Sequence, residues 1–434
     1  MRKLILSLAA TPLILGSMAV SAQAADDAAV KADSGFNIFS DVKFKGELRP
    51  RYQFTDRAAS ANDAGSMLTN RTNLNVNAKL FEVDALNATV ELNAVNDFGT
   101  QAQTGKDVGG EATVAKISQA NIDYTIGGVT GIIGRKTVNL DNQRFIGSVG
   151  WKQNFQTFDL GAVAYGIGDF SILAAYVYGV NTIGDAGYDY GQGAKFPFSG
   201  SGRTNSVVVN AGYKIADAIK LTGYAYMLDS ASDTFGLAAT GKIAMGDSAK
   251  LDYRAEFAMQ QEASFQDMYD TSLFGTSMYA NLDVGANISG FLVGLNYELL
   301  GGADVDDADT SAFQTPLATK HKFNGWADQF LGTPSTGLTD LNVRGGYKFA
   351  TAGKIIGIYH LFNAAADGTV ASGVSAGDAY GSEFDIAYST KLPGVNGVGL
   401  LVKAAMYMDD DTTGHTTDDT TMAWVQLDYK FATK

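Results

Sequence analysis

The sequence predicts an all-β fold: a transmembrane antiparallel β-barrel of about 18 strands with a long loop folded into the lumen. Three observations carry this. Apolar and polar residues alternate with period two in long segments repeated along the 434 residues, so each segment has one oily face and one wet face. Beyond the N-terminal run, no stretch approaches the roughly 18 apolar residues of a spanning helix, although 46% of the chain is hydrophobic. Helices and closed barrels alone satisfy every backbone polar group inside hydrocarbon, which leaves a periplasmic protein or an outer-membrane barrel. The composition favours the barrel: 50 Gly, 20 Tyr and 24 Phe suit turns and interfacial girdles, and only 6 Pro interrupt ladder hydrogen bonds.

Arg2 and Lys3 precede an apolar run over residues 4–20, and Ala22-Gln23-Ala24 supplies small residues at signal-peptidase spacing. Residues 1–24 are therefore expected to be a signal peptide cleaved after Ala24. A helical anchor fits less well, because Ser7, Thr11, Pro12, Gly16 and Ser17 interrupt the run and no basic stop follows. Residues 25–38 form a short N-terminal segment, and residues 39–434 the barrel.

The strands follow in order. Over residues 42–54, Val42, Phe44, Leu48, Tyr52 and Phe54 share a lipid-facing side. Lys43, Lys45, Glu47, Arg49, Arg51 and Gln53 face the lumen. Residues 69–80 repeat the theme with Leu74, Val76, Ala78 and Leu80 against Arg71, Asn73, Asn75, Asn77 and Lys79. Residues 86–97 return after a tight turn near Asp84. Further strands are expected near 114–126, 128–137, 156–167, 169–180, 204–215, 219–229, 234–245, 249–262, 275–287, 289–300, 339–350, 353–363, 381–391, 397–409 and 421–432. An even count returns both termini to one side of the membrane. Residues 172–178 are apolar on both faces, which calls for an inserted loop to cover the inner one.

Alternation places Lys43, Lys45, Arg49, Arg51, Arg71, Lys79, Arg254, Arg344 and Lys348 inward. Glu47, Glu91, Asp123, Asp252, Glu256, Glu298, Glu383 and Asp385 oppose them. Opposite signs across a pore create a transverse field, and paired they tile its wall. Between 134 and 159, Arg135, Lys136, Arg144 and Lys152 mix with amides and with Trp151 and Phe155. That chemistry suits an anionic sugar path, or equally a folded-in loop whose polar groups bond one another. Residues 301–338 are too long for a barrel turn and carry Phe313, Phe323, Trp326 and Phe330, which must bury somewhere. This is the expected constriction loop, with Phe313, His321, Lys322, Trp326 and Asp328 as its working residues.

Other classes find less support. The net charge of −14 argues against a sequence-independent nucleic-acid binder. The absence of Cys removes disulfides and thiol chemistry. No cofactor is implied. Asp409-Asp410-Asp411-Thr412-Thr413-Gly414 resembles the first half of a calcium loop, with Asp409 and Asp411 as ligands, but position twelve is Thr420 rather than Glu. His321, His360 and His415 show no defensible triad spacing for a hydrolase at the barrel rim.

Two stretches carry a family resemblance. Gly134-Arg135-Lys136-Thr137 through Phe155-Gln156-Thr157-Phe158-Asp159 resembles a characteristic segment of alginate-export-family outer-membrane proteins. Phe313-Gln314-Thr315-Pro316 through Trp326-Ala327-Asp328-Gln329-Phe330-Leu331 resembles the long-loop signature of the same group. Gly46-Glu47-Leu48-Arg49-Pro50-Arg51-Tyr52 is similar to the major outer-membrane porins of epsilonproteobacteria. The resemblance implies a monomeric or trimeric 18-stranded barrel with a charged, loop-constricted lumen. It serves either passive diffusion of ions and small hydrophilic solutes or export of an acidic polysaccharide. The last strand ends on Phe431, similar to the signal read by the barrel-assembly machinery, although Ala432, Thr433 and Lys434 follow it. Mixed inward charge favours the porin reading; a structural surface barrel is the remaining alternative.

Overall fold

The computed structural model describes residues 37–57, 64–98, 113–184, 202–266, 272–307, 309–369, 373–410 and 418–433. The expected signal peptide lies outside the described residues. Eighteen strands form one sheet: β1 Phe39–Arg57, β2 Ala64–Leu80, β3 Leu86–Asn96, β4 Val114–Ile126, β5 Val129–Lys136, β6 Thr157–Ile167, β7 Phe170–Asn181, β8 Gly202–Ala216 and β9 Ile219–Leu228 make the first half. The second half is β10 Ser232–Ala244, β11 Ala249–Gln261, β12 Ser277–Ile288, β13 Phe291–Leu300, β14 Leu338–Lys348, β15 Lys354–Asn363, β16 Ala379–Lys391, β17 Val398–Asp409 and β18 Thr420–Ala432. Each strand pairs antiparallel with the next, and β1 pairs with β18, as in Leu48 opposite Tyr429. Closure leaves no sheet edge, as a bilayer requires.

Short turns gather at the end where β1 begins and β18 ends. Gly127 and Gly128, at φ of 56° and 85°, make the two-residue β4–β5 turn in the left-handed geometry that matches strand twist.

Facing follows the alternation. On β1 the lipid-side Leu48 and Tyr52 are 39% and 44% exposed, whereas Arg49 and Arg51 are 5% and 1% exposed. A one-residue slip would turn both guanidinium groups to lipid, at about 2–4 kcal/mol each near the midplane.

The lumen is filled unevenly by two long connections. Loop A, residues 137–156, joins β5 to β6; loop B, residues 301–337, joins β13 to β14. The inner faces of β6 to β9 are apolar, with Leu160, Ala162, Leu173, Ala175, Val177 and Val208 buried. Leu140 and Ile146 of loop A and Leu317 of loop B gather against them, and Phe313 of loop B packs on Phe145 and Tyr279. The expected inserted loop over residues 172–178 is thus present, and it is loop A. Gly147 N donates to Leu317 O at 2.9 Å and Thr319 N to Gln143 O at 3.0 Å, so the two loops brace each other.

Candidate functional site

Loop A is bolted to the wall by the basic row of β1 and β2. Arg49 donates to Gln153 Oε1 at 2.9 Å, to Gly150 O at 2.9 Å and to Lys152 O at 2.6 Å. Arg51 bonds Trp151 O and Gln426 Oε1, its guanidinium 4.0 Å above the Trp151 ring. Arg71 reaches Lys152 O at 3.3 Å and pairs with Glu47. Across the lumen, Arg144 forks onto Glu298, 2.7 Å away, and Asn324 Oδ1 at 3.0 Å. The amides of loop A turn to the protein's own atoms, Gln153 Nε2 to Thr69 Oγ1 at 2.9 Å and Gln156 Nε2 to Gly147 O at 2.9 Å. The residues that offered a sugar path are therefore committed to fixing the loop.

The other residues singled out from the sequence divide by position. Lys43 and Lys45 are exposed near the short-turn end, Lys43 paired with Asp41 at 3.1 Å. Lys348 is exposed at the end of β14. Arg135 pairs with Asp159 at 2.7 Å. Arg254 bonds Asp141 and Glu256, the latter at 2.8 Å, and Arg344 bonds Asp283. Phe313 belongs to the inner core and is fully buried. Asp409 sits at the end of β17 and its N–H donates to Asp419 Oδ1 at 2.9 Å; Asp411 and His415 lie outside the described residues. Among the described residues no acidic or His cluster is arranged to hold a metal ion.

Open space lies on the side away from the apolar core. One cavity of about 270 Å³ sits between the tip of loop B and strands β11 to β15, lined by Arg254, Asn281, Asp283, Asn296, Asn342 and Arg344 among others. A second, about 560 Å³, lies against β15 to β17 with Lys322, Lys354 and Lys403 on its wall. Lys322, Trp326 and Ile358 line both. Trp326 thus stands at the partition.

The partition is held by a carboxylate of the wall. Glu383 on β16 accepts the Ala327 N–H at 2.8 Å and that of Trp326. Asn324 and Gly325, at φ of 55° and 84°, turn the backbone so that both N–H groups converge on one oxygen. Beside it, Lys403 Nζ lies 3.8 Å from the Trp326 ring centroid, 4.3 Å from Trp151 and 5.1 Å from Trp424. These are the chain's three tryptophans, and such contacts contribute about 0.5–2 kcal/mol each.

His321 completes the cluster. Its Nδ1 is 2.6 Å from Asp328 Oδ1 and its Nε2 2.7 Å from Lys403 Nζ. A lysine donating to Nε2 assigns a neutral ring with its proton on Nδ1. Burial, with Lys403 and Lys152 nearby, accordingly pushes His321 down to about 3 against the pull of Asp328. His360 is held by Asp340 at 2.9 Å and approaches Asp385 at 3.6 Å. Among the described residues neither ring bonds a serine hydroxyl.

Sequence reasoning passed over Lys403, Asp283, Asp340 and the wall asparagines as site residues. A usable signal existed for Lys403, which stands alone among apolar residues from Val398 to Met408; a lone charge in such a strand must face inward.

The chain superposes on Acinetobacter baumannii OccAB2 with a TM-score of 0.70 at 14% identity, covering 92% of this chain and 99% of that one. Pseudomonas aeruginosa OccK9 (OpdG) gives 0.68 at 14% identity over 92% and 100%, and OccK3 (OpdO) gives 0.66 at 12% over 92% and 97%. The chain folds as an 18-stranded outer-membrane β-barrel. No family model matches it and no curated protein does, so the resemblance to alginate-export proteins and epsilonproteobacterial porins rests on the quoted stretches alone. The barrel's likeness to the Occ structures is one of fold.

Proposed function

We propose that the protein is a passive diffusion channel of the bacterial outer membrane for ions and small hydrophilic solutes. The observation that carries this is the pair of cavities on the polar side of the lumen that share Lys322, Trp326 and Ile358 in their walls. Solutes pass between loop B and strands β11 to β17, selected by width and by the charge of the wall. The larger cavity carries Lys322, Lys354 and Lys403 and no carboxylate in its lining, which favours anions in transit. The Occ barrels, outer-membrane porins of the same architecture, support the reading by fold.

Export of an alginate-like polysaccharide needs a continuous basic track. Arg49, Arg51, Arg71 and Arg144 instead spend their donors on loop A, Glu47, Glu298 and Asn324. We also infer delivery by a signal peptide ending at Ala24, insertion by the barrel-assembly machinery and an annulus of outer-membrane lipid around the apolar belt.

Planar-bilayer recordings of the purified protein in a salt gradient test the function. Stable ohmic openings with a reversal potential displaced toward anions are expected. Absence of openings, even after loop B is deleted, refutes a channel. A closed pore blocked only by uronic-acid oligomers favours the exporter.

A further inference from the structure

We infer that the cavity of about 270 Å³ is a binding subsite for a neutral polyhydroxylated solute, a mono- or disaccharide in chemical class. Its place in transport rests on the channel reading; the site itself does not.

Strand register builds the wall. Asp283 stands opposite Asn296, Asn296 opposite Asn342, and Asn342 opposite His360, one row running across β12 to β15. Alternation turns the whole row inward, so amides and charged groups are presented side by side at the strand spacing of about 5 Å.

Most charges of this wall are spent on one another, and Lys322 at its edge donates to Asn142 O at 2.8 Å. Arg344 is tied to Asp283, Arg254 to Asp141 and Glu256, and His360 to Asp340. Over β12 to β15 an entering ion meets paired charge, whereas Lys354 and Lys403 belong to the neighbouring cavity alone. The amides keep capacity. Asn281 Nδ2 donates to Asn296 Oδ1 at 2.8 Å, which leaves the Asn281 oxygen and the Asn296 NH₂ group to the cavity. Asn342 gives one N–H to Asp340 at 3.2 Å and retains its oxygen, although the residue is 7% exposed.

An amide offers a donor and an acceptor at fixed separation, and a sugar hydroxyl is both at once. A row of amides therefore matches a ring of hydroxyls better than it matches an ion. Phe323 and Trp326 close the side facing loop B and supply the apolar surface on which the C–H face of a sugar ring rests. The volume lies near the lower end of ligand pockets, about 300 Å³. The competing reading is a merely hydrated wall.

The test uses the full-length protein and two readouts. In planar bilayers, glucose and sucrose should block the open-channel current saturably. Polyethylene glycol of matched size, which lacks the hydroxyl array, should reduce it only in proportion to bulk conductivity. In detergent solution the same sugars should shift tryptophan emission with the same half-saturation, because Trp326 lines the cavity. Asn296→Leu and Asn342→Leu should each weaken sugar binding roughly tenfold. Sugar indistinguishable from the polymer in both measurements overturns the subsite, and so does undiminished binding in both leucine variants. Saturable emission change without conductance would retain the subsite and refute the channel; conductance without sugar discrimination would do the reverse.

Discussion

Gly325 offers the sharpest test of how the lumen is partitioned. Its φ of 84° is left-handed, and a Cβ built there would stand 2.3 Å from Glu383 Oε2 and 2.6 Å from Cδ. Glu383 is fully buried, so in Gly325→Ala the loop tip must move instead. The left-handed residue costs about 1–2 kcal/mol, and each lost N–H bond from Trp326 and Ala327 to the carboxylate about 1.5–3 kcal/mol. Together the tip loses about 4–8 kcal/mol of docking energy, an upper bound because neighbours relax. About 5.5 kcal/mol inverts a 99:1 equilibrium, so release of Trp326 becomes a major state. Single-channel recording should show a larger mean conductance and added open-channel noise, because the partition no longer stays in place. Gly345→Ala is the control: its Cβ meets nothing within 4 Å, and its conductance should match the parent. Identical conductance and noise in Gly325→Ala and the parent would refute the latch.

Other perturbations test neighbouring parts. Arg144→Met leaves Glu298, 2% exposed, buried without its guanidinium, at about 3–5 kcal/mol; limited proteolysis should then cut within residues 137–156 while the barrel core stays intact. Lys354→Gln removes one of the cations that line the larger cavity, and the reversal potential in a salt gradient should move toward cations; an unmoved potential argues against selection there. His321, held near 3 in the docked loop, has an ordinary value of about 6.5 when released. The released loop therefore binds the extra proton first, and docking weakens as pH falls from about 6.5 toward 3. Noise should rise between pH 7 and 5, and His321→Gln should flatten that rise. Mass spectrometry of the mature protein should show a chain beginning at Ala25.

Strand positions were legible because period two is a local property. Alternation predicts a strand over residues 249–262 and Ala249–Gln261 forms one, and the facing of Leu48 and Arg49 follows from alternation alone. The enclosure of loop B was legible in part, since aromatics such as Phe313 and Phe330 have to be buried somewhere. The way the loops dock was not legible. Arg49 meets Gln153 and Arg144 meets Glu298 across separations of 104 and 154 residues, and no local pattern encodes such pairings. The Trp151, Trp326 and Trp424 rings converge on Lys403 for the same reason: a loop from each half of the chain and two wall strands must close first.

The placement of the pore follows from an inequality between the two halves of the wall. A barrel of 16–18 strands encloses more space than its own side chains fill, so whatever enters the lumen decides where water remains. Leu160, Leu173, Ala175 and Val208 line the inner faces of β6 to β8, and left wet they would forfeit about 25 cal/mol for each Å² of apolar surface. Loop A covers them and loop B braces it, so space is left on the opposite side. There the inward residues read Asn281, Asp283, Asn296, Asn342 and His360, groups that lose little by remaining hydrated. The polarity of the inner face thus sorts the lumen into a packed half and a conducting half, and the loops divide the conducting half at Trp326. Charge pairing then sets the character of each compartment. On β12 to β15 Arg344 neutralises Asp283 and His360 neutralises Asp340 from neighbouring register rows, leaving amides to do the selecting. On β15 to β17 Lys354 stands on a largely apolar wall with Ile356 and Leu401, and its charge is what a passing solute meets, while Lys403 stays buried behind the tryptophan rings.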